Sequence, residues 1–115
     1  MESKDLAKLI ANYSLEKKAE DVIIFNLKGI TTITDYFVIC SADSASQVKA
    51  ITDNIIEKLK DQKIKVWHTE GYESLKWVLL DLVDVVVHVF QPETRQFYGL
   101  EKLWGDAEIT KVEDR

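Results

Sequence analysis

A single α/β domain, built on a mixed five-stranded sheet covered by helices, is the fold class this sequence predicts. Three observations lead there. Residues 22–27 and 36–41 are apolar on both strand faces, as interior strands covered by helices are. Residues 4–18 and 44–60 carry apolar stripes at helical spacing. Residues 77–82 and 85–90 are two apolar runs close enough to form a hairpin. The element order is then α-β-β-α-β-β-β-α, with 44–60 as the crossover helix.

The elements can be justified in order. In the first helix Leu6, Leu9, Ile10 and Tyr13 share a face, and Lys17 and Lys18 suit its last turn. The strand at 22–27, apolar apart from Asn26, ends at Lys28-Gly29. After the strand at 36–41, Ser44-Ala-Ser-Gln47 has the S-x-x-Q form of a capping box. It opens a helix whose buried stripe is Val48, Ile51, Ile55 and Leu59. A third strand is expected at 64–69, closed by Glu70-Gly71, where glycine permits a positive φ or a tight bend. Pro92 can begin a short helical segment, and Leu100, Leu103 and Trp104 form a short stripe. Residues 1–105 are expected to be the domain. Residues 106–115, charged and without a stripe, are expected to be a loose tail.

Bulk properties narrow the function classes. A chain of 115 residues makes one domain and buries roughly 65% of its unfolded surface. Hydrophobic residues are 46% and charged residues 30%, ordinary for a globular protein. No apolar run approaches the roughly 20 residues that span a bilayer. Met1-Glu-Ser-Lys-Asp5 is neither a secretory signal nor an Arg-rich transit peptide. Cys40 stands alone and cannot form an internal disulfide, which suits a reducing compartment. The expected location is the cytoplasm, with no membrane partner. The net charge of -5 disfavours nucleic acid and favours a basic partner. The densest basic group, Lys58, Lys60, Lys63 and Lys65, reads as helix-end lysines that complement the dipole and stay in water.

No complete catalytic motif emerges. The four glycines, at 29, 71, 99 and 105, have neither GxGxxG nor P-loop spacing. Cys40, His68 and His88 fall on three separate strands, unlike a zinc site. There is no GxSxG elbow. Asp81 and Asp84 flank a strand corner, and a turn between them would let them converge as metal-binding acids do. Without a phosphate loop, they read instead as acids that cap or solvate the turn. Catalytic, metal and cofactor-binding residues are therefore all expected to be none. What remains is aromatic: Trp67, Tyr72, Trp77, Phe97, Tyr98 and Trp104 lie close in sequence. Those left exposed beside carboxylates would anchor a protein partner. His88, sharing a strand face with Val86 and Phe90, reads as a core or edge histidine, with an interface role second. Arg95 could pair with Asp84 or Asp81.

Certain residues also carry a resemblance. Thr34-Asp-Tyr-Phe-Val-Ile-Cys40, Glu70-Gly71, Trp77, Asp81, the run Asp84-Val-Val-Val-His-Val-Phe90, Arg95, Phe97-Tyr98, Leu100-Glu101 and Leu103-Trp104 resemble, in order, the ribosomal silencing factor family (RsfS, also Iojap-like or YbeB). The similarity covers about residues 3–106. It implies a fold related to nucleotidyltransferases without their activity. It also implies binding to the large ribosomal subunit through ribosomal protein uL-fourteen, a block to subunit joining, and repression of translation when nutrients are scarce. A homodimer is implied for the free protein. Trp77, Asp81, Asp84, His88, Arg95, Tyr98, Leu100, Glu101 and Trp104 match the family pattern and are the expected partner contacts. The alternative from another class is a small nucleotidyltransferase-like, nucleotide-binding enzyme.

Overall fold

The computed structural model describes residues 1–113. Its elements are α1 (Ser3–Glu16), β1 (Glu20–Asn26), β2 (Tyr36–Ser41), α2 (Ala45–Asp61), β3 (His68–Glu70), β4 (Trp77–Asp81), β5 (Val85–Phe90), α3 (Pro92–Tyr98), α4 (Leu100–Leu103) and β6 (Glu108–Val112). The strands form one mixed sheet in the order β3-β4-β5-β2-β1-β6. Only β2 and β5 run parallel, and α2 lies in the connection between them. The α/β class and the mixed sheet are as expected, and β4 and β5 do pair antiparallel.

Two differences stand out. The sheet has six strands, not five. The sixth lies inside the segment expected to be loose, where β6 pairs antiparallel with β1 from Val22↔Val112 to Asn26↔Glu108. Asp114 and Arg115 of that segment lie outside the described residues. The third strand is also shorter than expected, because only His68–Glu70 joins the ladder with β4. Ile64 and Val66 instead pack against the helix-side core.

Strand period 2 divides the apolar residues between two faces. Val22, Ile24, Val38, Cys40, Val78, Leu80, Val87 and Val89 form the core with Ala7, Ile10 and Ala11 of α1 and Val48, Ile51, Ile55 and Leu59 of α2. Ser44 caps α2 as expected, its hydroxyl accepting from the backbone N–H of Gln47 at 3.2 Å. The Gln47 side chain does not close the box. It donates to the Lys17 carbonyl and ties α2 to the end of α1. Asn54 reinforces this tie by donating to the Tyr13 carbonyl at 2.9 Å.

The opposite face holds a smaller core of Ile23, Phe25, Leu27, Ile39, Phe90, Leu100 and Ala107, with Phe37, Trp77 and Trp104 partly buried against it. The short α3 and α4 supply its cover. A sheet thickly covered on one side and thinly on the other leaves its second face free to meet something else.

Candidate functional site

Two local devices build the thinly covered face. Gly71, with φ +79°, closes the turn before β4, and a Cβ there would sit 1.9 Å from the Trp77 carbonyl oxygen. Only glycine allows the chain to pass that close and start β4 at Trp77. Gly99, with φ +56°, ends α3 and starts α4, so the chain turns sharply between the two short helices.

Arg95 fastens α3 to the strands. Its Nη1 donates to the Asp21 carbonyl at 2.9 Å and to Ser41 Oγ at 2.7 Å. Its Nε donates to Glu101 at 3.3 Å. Asp21, at φ +49°, lies in the β1–β2 register shift between Glu20 and Ile23. The expected pairing of Arg95 with Asp81 or Asp84 is therefore replaced by one with Glu101. Arg95 is a clamp whose planar fork bonds several acceptors at once.

On this base a chain of aromatic rings crosses the face. Trp104 meets Phe37 edge-on at 5.9 Å, and Phe37 meets His88 at 4.6 Å. The Trp77 Nε1–H donates to His88 Nδ1 at 3.0 Å. Trp77 stacks on Phe90 at 4.9 Å and contacts Tyr98 at 4.7 Å, and Tyr98 meets Phe97 at 5.1 Å. The outer members reach solvent, Phe97 at 82% exposure and Tyr98 at 53%, and Leu103, before Trp104 in the chain, is 71% exposed. A groove lined by Trp77, Tyr98, Phe97, Lys76, Glu93 and Thr94 runs between β4 and α3.

His88 has the lowest exposure in this ring chain apart from Phe90, at 3%. Burial pulls its pKa from the ordinary 6.5 down to about 3. It is therefore neutral, and because Nδ1 accepts from Trp77, the proton sits on Nε2. That Nε2–H is buried and finds no hydrogen-bond partner. Burial likewise pushes the Cys40 thiol up to about 12, which makes it inert.

The nine expected contact residues divide accordingly. Trp77, Tyr98 and Trp104 share the aromatic face. His88 and Leu100 lie beneath it, buried, where they support the surface instead of forming it. Arg95 and Glu101 form the clamp. Asp81 and Asp84 sit at the β4–β5 turn, the far end of the hairpin from Trp77, which pairs with Phe90. Asp81 Oδ1 accepts from the Val83 N–H at 2.8 Å, capping that turn. The Asp84 carbonyl accepts from the N–H groups of Asp35 and Tyr36. Among the described residues, no three or more His, Cys, Asp or Glu side chains are grouped to hold a metal ion.

Not all the aromatics gathered in sequence are gathered in space. Tyr72 leaves the group, its hydroxyl donating to Asp53 of α2 at 2.6 Å. Trp67 also leaves it, standing beside Lys65 before β3. Conversely, Phe37 joins the face unanticipated. The signal was there: it shares a strand face with Ile39 on β2, and Ile39 pairs with His88 across the parallel ladder.

Comparison with known proteins identifies the family. The family model described as ribosomal silencing factor during starvation matches residues 1–115. The chain is 46% identical over 113 residues to a ribosomal silencing factor RsfS of Halalkalibacterium halodurans, covering 98% of this chain and 97% of that protein. A Bacillus subtilis protein of the same name is 42% identical over 113 residues, covering 98% and 96%. A crystal structure of a Chromobacterium violaceum protein superposes with a TM-score of 0.89 at 33% identity, covering 99% of this chain and 95% of the other. The chain belongs to the ribosomal silencing factor family, RsfS.

Proposed function

We propose that this protein binds the large ribosomal subunit in the cytoplasm through the subunit's protein uL-fourteen, and that its bulk then keeps the small subunit from joining. Translation is repressed as a result. One observation carries the reading beyond family membership. Exposed Tyr98 contacts half-buried Trp77 and carries exposed Phe97 against it, and Leu103 stands in solvent next to half-buried Trp104 in the chain. Contiguous exposed aromatic surface on a soluble domain marks an interaction site, and rings of this kind supply large contact area with little entropy to lose. The net charge of -5 suits a basic ribosomal protein. The same apolar surface would pair two free copies, giving the homodimer that the family resemblance implies.

The test is sedimentation with separated subunits. The protein should travel with the large subunit alone, and Tyr98→Ala should weaken that association while the fold persists. Equal recovery with both subunits, or with neither, would contradict the proposal.

A further inference from the structure

One group of residues is left unused by the aromatic face. A groove of about 430 Å³ lies between the C-terminal half of α2 and the β3 edge. Half-buried Ile56, Ile64 and Val66 line it, together with exposed Lys60, Lys63 and Lys65. The helix dipole accounts for Lys58 and Lys60, which lie in the last turn of α2. It does not account for Lys63 and Lys65, which lie beyond the helix. Lys58 is 4.0 Å from Glu16, whereas Lys60, Lys63 and Lys65 form no ion pair among the described residues. Glu57 and Asp61, the acids nearest in sequence, do not line the groove.

Beside the groove stands Trp67, 65% exposed, with the Lys65 ammonium 4.7 Å from its ring centroid. An unpaired cationic rim next to an exposed indole matches what single-stranded nucleic acid needs: charge for the phosphates and a flat face for a base. An acidic peptide would use the charge but leave the indole idle. The Trp67 backbone N–H donates to the Asp81 carbonyl, so this surface adjoins the β4–β5 turn, at the far end of the hairpin from Trp77.

We propose that the Lys60–Lys63–Lys65 groove and Trp67 form a contact for the phosphodiester backbone and a stacked base of RNA. This deepens the ribosomal reading, on which its setting rests: a ribonucleoprotein would meet the aromatic face through protein and this separate basic edge, on the helix side of the sheet, through RNA. Three lysines opposed by an acidic chain give a weak, salt-sensitive contact, additive to the first.

The test uses the full chain and a short fluorescently labelled oligouridylate, followed by anisotropy across a salt series. Binding should appear at low ionic strength, with a slope of log K against log salt of about −2, as three neutralised phosphates on a single strand give. The double variant K60E/K63E should weaken binding about tenfold or more, and Trp67→Ala roughly fivefold or more. A charge-matched control, K4E/K8E on exposed positions of α1, should bind like the parent. Circular dichroism melts confirm that each variant is folded. Absence of RNA binding, equal weakening by the control, or equal competition by polyglutamate or phosphatidylglycerol vesicles would each overturn the proposal. Because the probe is naked RNA, loss of large-subunit binding with RNA binding intact counts against the proposed function alone.

Discussion

Acidification should destabilise this protein in part through one buried residue. His88 is neutral in the fold, with its pKa pulled by burial to about 3 from an ordinary 6.5. Between those two values the unfolded chain binds a proton that the native state refuses, so stability rises with pH across that window and falls as pH drops below 6.5. For this pair of pKa values, linkage gives a loss of about 2 kcal/mol on going from pH 7 to pH 5. That is a sizeable share of the roughly 5–15 kcal/mol that holds a typical domain together. Carboxylates titrate in the same region, so the assay must isolate the histidine. Urea denaturation of the parent and of His88→Asn, at pH 7 and pH 5, does so by difference. The amide can still accept from Trp77 Nε1–H but does not titrate. The variant will be less stable at pH 7, yet its loss between the two pH values should be smaller than the parent's by about 2 kcal/mol. Equal losses in both proteins would refute the reasoning. So would a histidine resonance of the folded parent, assigned to His88, that titrates near 6.5.

Three further outcomes follow from the geometry. Tyr98→Ala removes a half-exposed ring and should cost about thirtyfold in affinity for the large subunit while changing stability by less than about 1 kcal/mol, as read by binding and melting of one sample. Arg95→Ala should lower stability by about 2–3 kcal/mol in a denaturant titration, because charge-assisted bonds to Asp21, Ser41 and Glu101 go together. The Cys40 thiol, buried and pushed to about 12, should react with an aromatic disulfide reagent only at the rate of unfolding; prompt labelling of native protein would contradict its placement.

Much of the fold was legible because burial writes itself into periodicity. The two-sided apolar runs of β1 and β2, the α2 stripe and the Ser44 cap all signal partners on fixed faces. The strand β6 left no such signal. Ile109 is 45% exposed, and the strand interleaves Glu108, Thr110 and Lys111. Apart from Val112, packed against the helix-side core, it is held by backbone pairing with β1, which depends on the neighbour's open edge. The site was legible in composition but not in depth. Phe97, Tyr98 and Trp104 read as a cluster, and His88, between Val86 and Phe90 on one strand face, reads as core first; its partner does not show in the local sequence. Burial of that imidazole becomes tolerable through a donor eleven residues away, the Trp77 indole, and the pairing is fixed by β4–β5 register. Trp67 and Tyr72, close to the group in sequence, leave it in space, since closeness across the β3–β4 turn does not keep side chains on one face.

On the proposed reading, the aromatic face holds the large subunit and thereby prevents joining. Light scattering on mixing purified subunits in magnesium buffer tests it most directly. Saturating parent protein should suppress the joining signal. A K60E/K63E variant should suppress it at somewhat higher concentration, and Tyr98→Ala only at a concentration about thirtyfold higher. Joining that proceeds unchanged with large subunits saturated by the parent protein would contradict the account.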